Sequence, residues 1–242
     1  MEDPKAIENF LRGDEPAETY YKGIPAYLKD TYWWAYIHPK AVRFFERQWL
    51  VNLILWGNYN RLKKTLLKEL VTSFEKKNLQ LACVYGDLTE QIESTLGSHG
   101  TLDVIDVCQI QLDNLREKLG PSKKISLSRQ DSSSLEFSDG AFDTTILFFL
   151  LHEQPEEVRN ATLKEALRVT SKGGQVIVID YHQASHWNPL RYVMSVVFKL
   201  LEPFAQGFVN QNINDLLPKS LKASAEKKTF FGSLYQKVII RC

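Results

Sequence analysis

Two hydrophobic rhythms divide the chain. From residue 79 onward, short runs of aliphatic residues alternate with longer stretches whose apolar positions recur every three or four residues. Leu79-Gln-Leu-Ala-Cys-Val84 is almost continuously apolar, as a strand covered on both faces requires. It runs into a turn at Tyr85-Gly86-Asp87, and a helix follows from Thr89. Leu102–Asp106 reads as a second strand. Gln109–Leu119 reads as a helix with Ile110, Leu112 and Leu115 near one face, and Gly120-Pro121 stops it. Ile125–Arg129 is a third strand, Phe137–Phe142 a turn, and Asp143–Phe149 a fourth strand with its exit. Glu156–Thr170 is a helix closed by Ser171-Lys-Gly-Gly174, and Gln175–Asp180 is a fifth strand rich in Val and Ile. Lys228–Phe231 and Leu234–Ile240 read as a hairpin around Gly232-Ser233. Strands alternating with helices predict a mostly parallel sheet covered by helices on both faces.

The chain before residue 79 is different. Residues 1–18 are polar and are expected to be loosely ordered. Tyr20, Tyr21, Tyr27, Tyr32, Trp33, Trp34 and Tyr36 then fall within seventeen residues. Two readings of these rings are open: a helical cap packed on its own aromatics, or a wall for a flat apolar substrate. Trp49-Leu-Val-Asn-Leu-Ile-Leu-Trp56 has one polar member. It is too short to span a bilayer, and it reads either as a buried helix or as one laid into a membrane interface. The basic stretch 61–77 that follows reads as a solvated helix face or as a match for an anionic surface. A second apolar helix, Leu190–Leu201, lies in an insertion spanning 181–226. The expected organisation is an N-terminal helical extension, 1–77, and a sheet domain, 78–242, carrying that insertion.

Composition narrows the class. At 242 residues, with 44% apolar and 24% charged residues, the chain can bury a core of ordinary globular type. A net charge of +1 gives no electrostatic case for a nucleic-acid partner. Cys83, Cys108 and Cys242 lack a Cys-x-x-Cys spacing and read as packed thiols. Asn160-Ala161-Thr162 fits a glycosylation acceptor but falls in an expected helix. The acidic, polar start resembles neither a signal peptide nor an Arg-rich transit peptide, and no uninterrupted apolar run reaches the length of a spanning helix.

The chemistry concentrates at strand ends. Asp106 closes the second strand about twenty residues after Gly86, where a carboxylate can accept the hydroxyls of a nucleoside ribose. The hairpin after an insertion, Leu135-Glu-Phe-Ser-Asp-Gly-Ala-Phe-Asp143, Leu151-His152-Glu153 and Leu167-Arg-Val-Thr-Ser-Lys-Gly-Gly174 resemble class I S-adenosylmethionine-dependent methyltransferases. The resemblance implies a Rossmann-like α/β fold with a seven-stranded, mostly parallel sheet and a C-terminal antiparallel hairpin. It also implies that Asp131 reads the adenine amino group. Candidate cofactor-binding residues are Val84, Tyr85, Gly86, Asp87, Asp106, Val107, Asp131, Ser132 and Phe148. The departures stand on the first strand. Gln80 occupies the place of the usual acid that fixes the methionine amino group, and Val84-Tyr85-Gly86 replaces a Gly-x-Gly turn.

With Ile24-Pro-Ala-Tyr-Leu28, Thr31-Tyr-Trp-Trp-Ala-Tyr-Ile-His-Pro-Lys40, Trp49–Tyr59 and Val84-Tyr-Gly-Asp-Leu-Thr89, the chain resembles the rhodoquinone biosynthesis protein family (RquA). That resemblance implies conversion of ubiquinone to rhodoquinone. A ring methoxy group is replaced by an amino group, S-adenosylmethionine is the nitrogen donor, and manganese is required. Losing the acid at position 80 and crowding the turn would release or re-aim the cofactor's amine. Metal candidates at strand ends are His152, Asp180 and His182, with Glu153 beside them. His186 and His38 are alternatives, and His99, in a glycine-rich turn, reads as solvated. His152 and Tyr85 are the candidate catalytic residues, and Tyr32, Trp33, Trp34 and His38 the candidate substrate wall. A lipid substrate implies peripheral membrane contact through Trp49–Trp56 and Trp187–Phe208. The implied location is the cytoplasmic face of a bacterial inner membrane or the mitochondrial inner membrane.

Overall fold

In the computed structural model, which describes residues 21–222 and 225–242, the strands are β1 (Lys77–Leu81), β2 (Thr101–Asp106), β3 (Ile125–Arg129), β4 (Phe142–Phe148), β5 (Thr170–Tyr181), β6 (Ala225–Phe230) and β7 (Tyr235–Arg241). The polar 1–18 segment and Tyr20 lie outside the described residues. The seven strands form one sheet in the order β3-β2-β1-β4-β5-β7-β6. β1 pairs in parallel with β2 on one side and β4 on the other. β7 runs antiparallel between β5 and β6, as the hairpin in the sequence implied.

The continuous apolar runs fold this way because both sheet faces are covered. Ile146, Ile177 and Ile179 face one core with Leu62, Leu66, Leu88 and Ile92; Leu79, Leu81, Val176 and Val178 face the other with Leu163 and Ala166. Each such side chain contributes about 1.5–3 kcal/mol by leaving water. The helix Tyr59–Leu70 buries Leu62, Leu66 and Leu70 at a spacing of four residues, so it is a layer of the sheet domain. The expected 77/78 boundary therefore falls inside one shared core. The shorter helices Ala26–Thr31, Trp33–Tyr36 and Pro39–Phe45 pack Ile24, Leu28, Tyr32, Ile37 and Val42 against Cys108 and Ile110, over the carboxyl end of β2.

Two strand ends differ from expectation. β1 stops at Leu81, three residues early, because Ala82 takes φ +70, a left-handed backbone that no strand continues through. β5 starts at Thr170, so Ser171–Gly174, expected as a turn, joins the strand across a register shift opposite Phe142 and Thr144. Gly174 fits there because a Cβ would lie 2.6 Å from the Asp143 carbonyl oxygen. Among the described residues no helix is long and apolar enough to cross a membrane.

Candidate active site

Two cavities meet at the carboxyl end of the sheet, where parallel strands deliver their terminal side chains. The first is a narrow cleft of about 60 Å³ over β2 and β3. Asp106, Val107, Gln130, Asp131 and Ser132 line it, with Tyr27 above. The second, about 510 Å³, lies over β1, β4 and β5, and its walls are mostly aromatic and aliphatic. Tyr36, Ala82, Cys83, Gln111, Leu150 and Glu153 line both, so the two spaces share a wall.

In the narrow cleft the Asp106 carboxylate accepts hydrogen bonds from the backbone N–H groups of Cys83 and Cys108, each at 2.8 Å. This ties the ends of β1 and β2 together. Burial pushes its pKa up to about 6, against the lowering effect of those N–H donors. Asp131 is set by its own turn, accepting from the Ser133 N–H and hydroxyl at 2.8 and 2.7 Å. Ser132 bonds Thr162 and Gln154.

The β1 turn behaves differently from the sequence expectation. Val84 and Tyr85 line the larger cavity, whereas Gly86 and Asp87 line neither. Asp87 accepts from Lys63 at 2.5 and 2.6 Å and from the Tyr59 hydroxyl at 3.1 Å, so its charge is engaged by the preceding helix. Gly86 has φ +86, and a Cβ there would meet the Tyr59 hydroxyl at 2.7 Å; the glycine serves close packing on Tyr59. Its N–H donates to Glu46 at 3.0 Å, and Lys118 clamps both Glu46 and the Gly86 carbonyl. Gln80 is fully buried. Its amide donates to the Ala82 carbonyl at 3.0 Å and accepts from Thr89 at 3.2 Å, so it reaches neither cavity. Phe148 lines the larger cavity and not the cleft.

Tyr85 is held on all sides. Its hydroxyl donates to the Ala35 carbonyl at 2.6 Å and accepts from Gln111 at 2.8 Å, and its ring stacks between Tyr36 and Phe45. Burial pushes its proton affinity far above that of a free phenol, so Tyr85 serves as a fixed wall. Of the expected substrate residues, Tyr32 and Trp34 line the larger cavity. Trp33 packs on the Ile24–Val42 cluster instead. His38 is buried beneath the helix Pro39–Phe45, where Nδ1 accepts from the Lys40 N–H at 3.2 Å and caps the helix start.

The acid–base groups gather at the far wall. His152 Nδ1 donates to Asp180 at 2.7 Å, and Asp180 also accepts from the N–H groups of Leu151 and Tyr181. His152 Nε2 faces Glu202 at 3.4 Å and Glu153 at 3.8 Å. Burial works against a charged imidazole, but Asp180 and Glu202 outweigh it and push the His152 pKa up to about 9. Glu153 accepts from the Tyr36 hydroxyl, and burial pushes its pKa up to about 8, against the pull of His152 and Tyr36. His182, grouped with His152 and Asp180 in the sequence, faces the Ser233 and Gln183 carbonyls at 2.9 and 3.0 Å. The three do not converge. Among the described residues no group of three His, Cys, Asp or Glu side chains is arranged to hold a metal ion. Glu202 and Gln111 escaped the sequence reading. Both come from helical stretches with no motif, and only packing brings them to the wall.

The cavity mouth is apolar. Leu53, Ile54 and Trp56 line it from one side and Met194, Val197 and Leu201 from the other, with the Trp56 Nε1 donating to Met194 Sδ at 3.3 Å across the gap; Trp49, Val193, Val196 and Leu200 are exposed on the same two helices beside it. Exposed charges on these elements are basic: Arg47, Arg191 and Lys199. Glu46 and Glu202 turn inward.

Known proteins share this architecture. The model of the ubiE/COQ5 methyltransferase family matches residues 48–238. A demethylmenaquinone methyltransferase from Staphylococcus haemolyticus is 27% identical over 64% of this chain and 62% of its own length. One from Lactobacillus johnsonii is 30% identical over 68% of this chain and 67% of its own. The chain thus matches somewhat less than two thirds of the first of these relatives. A crystal structure of a SAM-dependent methyltransferase from Aquifex aeolicus superposes with a TM-score of 0.53 at 16% identity, covering 84% of this chain and 97% of that one. The fold is that of class I SAM-dependent methyltransferases.

Proposed function

The chain belongs to the ubiE/COQ5 methyltransferase family, and from that premise we propose that it converts ubiquinone to rhodoquinone, exchanging a ring methoxy group for an amino group. The observation that supports this best is the shared wall. A roomy aromatic cavity abuts the narrow cleft at Ala82 and Cys83, the turn that follows lines that cavity with Val84 and Tyr85, and Gln80 is turned into the sheet. S-adenosylmethionine, when bound, supplies the amino nitrogen.

The chain's own groups have the following roles. Asp106 holds the ribose and Asp131 the adenine, each carboxylate oriented by neighbouring donors. Tyr32, Trp34, Tyr85 and Phe149 exclude water and offer flat faces to a quinone ring. His152, protonated at neutral pH and oriented by Asp180, gives its Nε2 proton to the departing methoxy oxygen. The family resemblance also implies manganese. The residues expected to hold it, His152, Asp180 and His182, do not fit a common ion, and no step passes through a metal. The apolar mouth and its basic rim support peripheral contact with an anionic bilayer, where a long-tailed quinone resides.

A second reading is methyl transfer to a quinone ring, favoured by the relatives named as demethylmenaquinone methyltransferases. Cofactor carrying both a labelled α-amino nitrogen and a labelled methyl group separates the two. Nitrogen label in the quinone product is expected. Methyl label there, without nitrogen, sinks the amination reading and establishes the second.

A further inference from the structure

S-adenosylmethionine carries a positive charge at each end of its methionine arm, at the sulfonium and at the α-ammonium. A site for it needs an acid beyond those that hold the nucleoside. Three acids line the narrow cleft: Asp106, Asp131 and Glu153. The first two sit at the ends of β2 and β3, tied to backbone donors. Glu153 lies at the opposite end, and of the three it alone also lines the large cavity. Gln80, the polar side chain on β1, is engaged by Ala82 and Thr89 and reaches neither space.

Glu153 is held for such a task. It follows the turn at Leu151, which Arg159 clamps through the Leu151 and Gln154 carbonyls at 3.0 and 2.9 Å. Its Oε1 accepts from the Tyr36 hydroxyl, and Tyr36 is in turn stacked on Tyr85. Its side chain is 16% exposed. A carboxylate so placed is poorly solvated, and burial resists its ionisation. Glu202 adds negative charge behind it, and His152 offers one positive charge among three acids, Asp180 included. An ammonium beside Glu153 would favour its ionised form against that burial.

We propose that Glu153 is the carboxylate that recognises the α-ammonium group of S-adenosylmethionine, holding the amino-acid end of the cofactor at the wall shared with the apolar cavity. This rests on the reading that S-adenosylmethionine is the cofactor; for methyl transfer the ammonium stays as it is, and for amino transfer it must first give a proton to Glu153 so that its nitrogen has a lone pair for the ring carbon. It gives the re-lined β1 turn a consequence: the amine is presented to the second substrate's chamber rather than to the interior of the sheet.

The test compares two ligands by calorimetry on the full chain. S-adenosylmethionine has the ammonium, and 5′-methylthioadenosine shares its nucleoside but lacks the amino acid. Glu153→Gln keeps a partner for Tyr36 and removes the charge. It is expected to weaken S-adenosylmethionine about 10- to 100-fold, and to change methylthioadenosine less than about threefold. Asp106→Asn, by contrast, should weaken both ligands alike. Equal losses for both ligands in Glu153→Gln would mean a structural role and overturn the proposal. Unchanged S-adenosylmethionine affinity in Glu153→Gln overturns it while leaving the cofactor reading intact. Failure of the unaltered protein to bind S-adenosylmethionine removes the cofactor reading and the proposal together.

Discussion

The cleft over β2 and β3 and the chamber over β1, β4 and β5 lie side by side on one sheet edge, yet they are built by opposite means. The cleft is narrow, and two of its three acids are oriented at least in part by adjacent backbone: Asp106 by Cys108 two residues on, Asp131 by Ser133. The chamber is wide and aromatic, and its walls come from segments remote in sequence, Tyr36 meeting Glu153 and Trp56 meeting Met194. Local turns suffice to hold a small polar ligand. A flat, apolar ligand needs area, and area comes from packed helices.

Four changes probe that contrast. The largest effect is expected in the chamber. His152→Asn should lower the turnover of a short-tailed ubiquinone by about 10²–10⁴-fold while leaving S-adenosylmethionine affinity near that of the parent protein; single-turnover product analysis decides, and full activity would remove His152 from proton transfer. Next is the cleft. Asp106→Ala should cost cofactor binding about 1.5–3 kcal/mol, read by calorimetry, through lost charged hydrogen bonds. Unaltered affinity would contradict the ribose role.

The mouth comes third. Val196→Asp with Leu200→Asp places two acids on its exposed rim, and binding to phosphatidylglycerol vesicles should fall about tenfold in co-sedimentation, since each acid opposes both burial and surface charge. Retained binding would place the contact elsewhere.

The smallest effect is a pH dependence of stability in the ligand-free protein. Asp106, Glu153 and His152 all have raised pKa values, about 6, 8 and 9. The folded state therefore binds protons more tightly than the unfolded chain, whose values are about 4 for the acids and about 6.5 for His. Stability must then fall as pH rises. The carboxyl contributions are lost between about pH 4 and 8, and that of His152 between about 6.5 and 9. The melting temperature should decline from pH 6 to 9, and a flat or rising profile would show that these groups are not perturbed together.

Much of the sheet was legible from local pattern. Gln109–Leu119, Ile125–Arg129 and Leu190–Leu201 fall where periodicity and stop signals place them. Asp106, Val107, Asp131 and Ser132, read from the sequence as cofactor-binding, line the cleft together, because each sits at or just after a strand end and the backbone there aims it. The β1 turn was harder. Nothing local in Tyr85-Gly86-Asp87 discloses that Lys63 and Tyr59 take Asp87, or that Gly86 is glycine for the sake of Tyr59. His38 and Trp33 were misplaced for the same reason: an aromatic or imidazole in a dense cluster faces core or cavity depending on a helix rotation that composition does not encode.

Alternation of apolar and polar positions is a property of neighbours along the chain, so strands, helices, their parallel arrangement and the acids at the ends of β2 and β3 are written in local pattern. Which side chains meet across the chamber depends on packing between segments that the sequence separates by some thirty to more than a hundred residues. Tyr36 and Glu153 are 117 apart, and His152 is opposed by Glu202 from a different helical layer. Packing in three dimensions sets Asp180 behind His152, turns His182 to Ser233, and puts Glu153 on the wall between the two spaces. The physical reason is burial: a charge enclosed by distant segments acquires its partners and its proton affinity from what packs around it, and local pattern carries no record of that.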